Sequence, residues 1–237
     1  MLGRHLLDTG NDIPQRPVID QHDVTPSEPG QEQDPQSIGG VEYYKSPIDF
    51  ESLWDRNTDI YAWLDIPGSE ISQPVLRKEG DSDYYIKRDL DKKYSEAGSL
   101  FTQSTWNGSD FTDIVTIIYG HKMKSGAMFG TLQLFYSDEE NFKEHNELVI
   151  YLPDREIKYK VFAAVPFDNR HLWMTYNFYL EDNYKRFISD IYSQKALGAN
   201  LDESVEFNYQ DRMLILSTCL RGNLNKRYLV CALEVTE

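Results

Sequence analysis

Met213-Leu-Ile-Leu-Ser-Thr-Cys-Leu-Arg-Gly-Asn-Leu-Asn-Lys-Arg-Tyr-Leu-Val-Cys-Ala-Leu-Glu-Val235 reads as two strands joined by a turn. Its apolar runs, 213–218 and 228–235, have strand length, and Gly222 and Asn223 are suitable turn residues within the intervening loop, Leu220 to Lys226. If the runs pair antiparallel about a centre near Asn223, Cys219 falls opposite Arg227. Directly opposed side chains have Cβ atoms roughly 4.5–5.5 Å apart. A thiol at a strand end beside a guanidinium suits acyl chemistry, because the cation favours a thiolate and can bond a developing oxyanion. Cys231 lies four residues along the same strand from Arg227. That is about 13 Å at ~3.3 Å per residue, too far for a disulfide to Cys219 in this register. Cys231 therefore reads as an inert core residue, and Arg221, inside the loop, as the weaker rival to Arg227.

Working upstream, Tyr179 to Tyr192 puts Tyr184, Phe187, Ile188 and Ile191 on one helical face. Leu148–Leu152 and Ile157–Val165 read as strands about a Pro153-Asp154 turn. Gly126–Phe135 carries Met128, Phe129, Leu132 and Phe135 at helical spacing. Ile114–Tyr119 is a buried-type strand, and His121 follows it after one glycine, at a strand end where a general acid or base for a thiol is expected. Asp81–Ile86 reads as a helical turn, Val75-Leu76 and Ile60–Ile66 as strands, and Ser46-Pro47 as the start of a helix carrying Ile48, Phe50, Leu53 and Trp54. Many short strands with a few inserted helices predict a mainly β, largely antiparallel barrel or sandwich.

Residues 1–40 have no aromatic residue and hold five of the ten prolines, so they read as a linker, a stalk or an artificial leader, and 41–237 as one domain. A net charge of −15 argues against nucleic acid as partner, since phosphate binding needs clustered Lys and Arg. Two cysteines make no disulfide scaffold, no CxxC, HExxH or EF-hand spacing suggests a metal, and no apolar run approaches membrane-spanning length. No cofactor is expected. The remaining histidines compete poorly with His121: His5 and His22 lie in the tail, His145 in a charged stretch, and His171 borders a loop.

Tyr119-Gly-His-Lys-Met-Lys-Ser-Gly-Ala-Met-Phe-Gly130, Leu216-Ser-Thr-Cys219 and Arg227-Tyr-Leu-Val230 resemble the signature segments of class B sortases. Ile60–Val75 is similar to the family's opening strands and Gly98-Ser-Leu-Phe101 to a further one, so the resemblance runs from about residue 45 to 236. It implies an eight-stranded sortase-type barrel with an N-terminal helix and an extra helix before the last two strands. It also implies a transpeptidase in which Cys219 attacks the threonine carbonyl of a sorting signal. His121 would then move the proton to and from the amines, and Arg227 would hold the oxyanion or the substrate. Ser217, the pair Ser82 and Ile86 (commonly Asn and Leu in the family), and Trp173 and Met174 in the loop before the extra helix would line or close the substrate groove. The implied partners are surface proteins bearing an Asn-Pro-x-Thr-Asn or a [Ser/Pro]-Pro-x-Thr-Gly signal. The accepting amine would be peptidoglycan cross-bridge, diaminopimelate or a pilin lysine. The implied location is the outer face of a Gram-positive membrane, through an anchor absent from this sequence. Two other readings of the residues are an L,D-transpeptidase, which usually has glycine where Thr218 stands, and a non-catalytic surface domain that binds a partner.

Overall fold

The apolar runs pair into one closed sheet in the computed structural model, which describes residues 44–236. The strands are β1 (Ile60–Asp65), β2 (Ser72–Arg77), β3 (Leu100–Thr102), β4 (Val115–Tyr119), β5 (Glu147–Tyr151), β6 (Glu156–Asp168), β7 (Asn200–Leu201), β8 (Met213–Leu220) and β9 (Asn223–Glu234). Eight of them run in the order β5-β1-β2-β3-β4-β8-β9-β6, and β5 pairs back onto β6 to close the barrel. Closure removes the sheet edges that would otherwise recruit other chains. The two-residue β7 adds to β6 beyond the stretch that β5 occupies. Two joints are parallel, β2 with β3 and β4 with β8. The tail 1–40, read above as a linker, lies outside the described residues.

Period-2 alternation along β8 sorts its side chains between two cores. Leu214 and Leu216 point into the barrel with Ile118, Val230 and Ala232. Met213 and Ile215 point outward to a second core with Ile117, Leu229 and Cys231. That outer core is roofed by α4 (Leu172–Tyr176) and α5 (Glu181–Tyr192), which contribute Trp173, Tyr176, Tyr184, Phe187 and Ile191. Over β1 and β2, α1 (Phe50–Arg56) packs Phe50 and Leu53 against Ile60, Trp63 and Leu76. Asp49, not Ser46, caps α1, its carboxylate accepting from the Ser52 amide at 3.1 Å.

Several sequence expectations are corrected. The Gly126–Phe135 segment is helical only in α2 (Leu132–Tyr136). Gly126 and Met128 take positive φ, and Lys122 bridges to Met128, so the chain before α2 is spent folding back toward His121. A further helix, α3 (Glu139–Glu144), lies in the charged stretch and is capped by Asp138. The helical turn near residue 81 is a 3₁₀ turn over Tyr84–Lys87. The final hairpin keeps the expected register from Met213↔Leu233 to Cys219↔Arg227, but its loop is far shorter than 220–226. Leu220 pairs with Asn223 around Arg221-Gly222, and a bulge next to Cys219 absorbs the difference. Gly222 supplies the left-handed residue, with φ +84, so the turn forms there rather than at Asn223.

A Cβ at Gly222 would meet nothing within 4 Å, so only the backbone conformation penalises a side chain. Gly222→Ala should therefore cost about 1–2 kcal/mol of stability, measured by urea denaturation, with no change of fold by circular dichroism.

Candidate active site

The three chemically capable side chains belong to three adjacent strands: Cys219 lies on β8, Arg227 on β9, and His121 two residues beyond the end of β4. β8 lies parallel to β4 with Tyr119 beside Ser217, and the Gly120 amide continues the ladder by donating to the Ser217 carbonyl at 3.1 Å. Two more residues along this register bring His121 level with Cys219. On the other side Cys219 is directly opposed to Arg227. Ser217, Cys219 and Arg227 have the same parity as the outward-facing residues of their strands, so they emerge on the outer face where the helical roof stops. Ser217 is still buried there, Cys219 half-buried.

Here the chain forms a cleft of about 300 Å³ lined by Tyr119, His121, Ser217, Cys219 and Arg227 from the barrel, with Ile86 and Leu172 at its flanks. The Arg227 Nη1 donates to Cys219 Sγ at 3.7 Å. His121 Nε2 lies 2.7 Å from the Ile86 carbonyl, which can only accept, so Nε2 carries the proton and Nδ1 is left for chemistry. Gly120 is required by close approach: a Cβ there would sit 2.5 Å from Leu100 Cδ2 and 2.6 Å from Phe129 Cδ2. The His121 carbonyl in turn accepts from the Phe129 amide, which fixes the returning loop. Burial pushes the Tyr119 phenol well above its usual range, so a neutral hydroxyl lines the cleft wall. Asp168 and Arg170 form an ion pair at the cleft edge, and the Arg170 hydrogen bonds hold the Asp168 carboxyl below the usual carboxylate range. Among the described residues no group of His, Cys, Asp and Glu is arranged to hold a metal ion.

The other expected residues divide. Ser217 and Ile86 line the cleft. Ser82 does not; its hydroxyl lies 2.7 Å from that of Thr105, tying two loops together. Trp173 and Met174 sit in helix α4, not in a loop, and neither lines the cleft. Trp173 is 2% exposed, stacked on Trp106 with centroids 6.0 Å apart, because the outer core needs a large apolar filler beneath α4. Met174 is 74% exposed on the far side of that turn. Arg221 is exposed in the hairpin turn, its amide bonded to Gln133 Oε1, away from the cleft. Sequence reasoning missed Asp83 and Gln103 in the cleft wall and set aside His171, which also lines it, as merely bordering a loop. Their positions in irregular segments left no periodicity to place them; only the local N-cap geometry of His171 before an apolar run was a usable sign.

The sequence pattern of the sortase domain matches residues 64–235. The chain is 28% identical over 171 residues to sortase B of Listeria monocytogenes, covering 72% of this chain and 67% of that protein. It is 26% identical over 187 residues to sortase B of Staphylococcus aureus, covering 77% and 73%. The X-ray structure of Clostridium perfringens sortase B matches with a TM-score of 0.69 at 25% identity, over 79% of this chain and 100% of that one.

Both cysteines are free, but burial separates their reactivity. Cys231 is fully buried in the outer core, and desolvation pushes its thiol far above the usual range. A methanethiosulfonate reagent should label the folded protein once, at Cys219, and reach Cys231 only in denaturant, as read by peptide mass spectrometry.

Proposed function

This chain belongs to the sortase family, and from that premise we propose that it is a class B cysteine transpeptidase acting through Cys219, His121 and Arg227. The observation that carries the assignment is the row of these three side chains across adjacent strands at the mouth of one cleft. The substrates are surface proteins ending in an Asn-Pro-x-Thr-Asn or [Ser/Pro]-Pro-x-Thr-Gly sorting signal. Their extended peptide lies in the cleft with the threonine carbonyl against Cys219.

The Cys219 thiolate attacks that carbonyl, and the electron pair moves onto oxygen. Arg227, already within reach of the sulfur, bonds the oxyanion as it forms. Imidazolium His121, held by its Nε2–H on the Ile86 carbonyl, passes the Nδ1 proton to the leaving amine as the peptide C–N bond breaks. A thioacyl enzyme and neutral His121 remain. The accepting amine, a peptidoglycan cross-bridge, diaminopimelate or pilin lysine, loses its proton to Nδ1 as it attacks the thioester. Collapse re-forms the amide, expels the thiolate and returns His121 to imidazolium. Ser217 and Ile86 contribute to the peptide-binding wall. The enzyme works on the outer face of a Gram-positive membrane, held by an anchor outside the described residues. Among those residues no helix is long and apolar enough to span a membrane.

Quenched sorting-signal peptides with and without an added amine test the assignment. Wild type should cleave one motif of the panel and join it to the amine. Cys219→Ala should abolish both reactions, whereas His121→Ala should lose about 10²–10⁴-fold in kcat/KM. Arg227→Ala should lose about 10²–10³-fold. Undiminished cleavage by Cys219→Ala would sink the proposal.

A further inference from the structure

A second imidazole, His171, lies in the cleft wall, and its hydrogen bonds give it a different task from His121. The Met174 amide donates to His171 Nδ1 at 3.3 Å. A backbone N–H can only donate, so Nδ1 is an acceptor and the ring proton is on Nε2. Nε2 then donates to Gln103 Oε1 at 3.0 Å. The other end of the Gln103 amide, Nε2, donates to Asp83 Oδ1 at 2.8 Å. A carboxylate only accepts, so the chain has one proton order whichever end is read first. It runs from the N-cap of α4, through the segment after β3, to the residue that precedes the 3₁₀ turn.

That turn is what holds the acid–base histidine. The Asp83 carbonyl accepts from the Ile86 amide at 3.0 Å, and the Ile86 carbonyl accepts from His121 Nε2 at 2.7 Å. Tyr85 pins the back of the turn through its hydroxyl, 2.6 Å from Asp59 Oδ2, and Asp83 meets the strut on the cleft side. His171 is itself held by packing, its ring 5.8 Å from that of Trp106, which stacks on buried Trp173. We infer that His171, Gln103 and Asp83 form a proton-ordered strut across the cleft wall, and that His171 is a positioning residue that sets the placement of His121 through the Ile86 carbonyl. The inference rests on the proposed acid–base role of His121.

Two variants separate this role from simple capping of α4. His171→Asn keeps a side-chain oxygen for the Met174 amide, a good N-cap, but is too short to reach Gln103. Gln103→Leu removes the bridge and leaves the His171 cap intact. Both should melt close to wild type yet lose about 10–100-fold in kcat with a smaller change in KM, as expected when a reacting group is misplaced. Asp83→Asn, which retains an acceptor, should recover most of the kcat lost in Asp83→Leu. Imidazole ¹⁵N spectra of the wild type at neutral pH should show His171 as the Nε2–H tautomer, and the His121 signals should shift in Gln103→Leu. Unchanged kcat in both strut variants, or His171 found as the Nδ1–H tautomer, would overturn the inference. If the wild type cleaves no peptide, the proposed function fails on its own, and the ¹⁵N spectra still decide whether the strut orders His121.

Discussion

The ladder that locks β8 between β4 and β9 is the constraint on which the remaining structure depends. On one side five parallel partners run from Val115↔Met213 to Tyr119↔Ser217. On the other, antiparallel pairing holds without interruption from Met213↔Leu233 to Cys219↔Arg227. A slip of one residue in either ladder would exchange the faces of a whole strand. It would turn Cys219 inward among Leu214 and Leu216 and bring a barrel-core residue to the cleft. The many fully buried apolar side chains on both faces make such a slip prohibitive, so the stability of the fold and the alignment of the site have one origin.

The site opens where that burial stops. Along β8 the outward residues pass from Met213 and Ile215, covered by the α4–α5 roof, to buried Ser217 and then half-buried Cys219. A thiol placed four residues earlier, at Ile215, would sit opposite Cys231 and share its environment, where desolvation keeps sulfur protonated. One place further along, the bulge and the Gly222 turn end the pairing and leave the mouth of the cleft clear. The chain as a whole is strongly acidic, so Arg227 and the ion-paired Arg170 supply local positive charge within a generally negative field. Short-range hydrogen bonding, not net charge, governs what happens at the sulfur.

The cleft walls are assembled from segments that have no regular secondary structure of their own to position them. The 3₁₀ turn is held by Tyr85 against Asp59 and Asn57, the loop after β3 by Thr105 against Ser82, and the start of α4 by its own His171 cap. Each of these is a side chain satisfying backbone or loop groups that no ladder reaches. That is why the walls join through polar contacts such as the Asp83–Gln103–His171 series, while the barrel floor joins through apolar packing.

Much of this was legible in the chain itself. Alternation and turn chemistry in 213–235 predict the hairpin, its register and the pairing of Cys219 with Arg227, because strand periodicity is local and strict. The Ile114–Tyr119 run and Gly120 predict a strand end at His121 for the same reason. The amphipathic face of α5 is equally plain, with Tyr184, Phe187 and Ile191 buried as their spacing requires. Tertiary structure alone decided that β4 lies parallel beside β8, which is what brings His121 level with Cys219 across nearly a hundred residues of sequence. It also decided that Trp173 fills the outer core instead of the groove, that residues 126–131 fold back instead of extending α2, and that Gln103 and His171 face each other. Local sequence carries the preferences of each segment, but strand neighbours and loop contacts follow from how the barrel closes and which apolar faces remain to be covered.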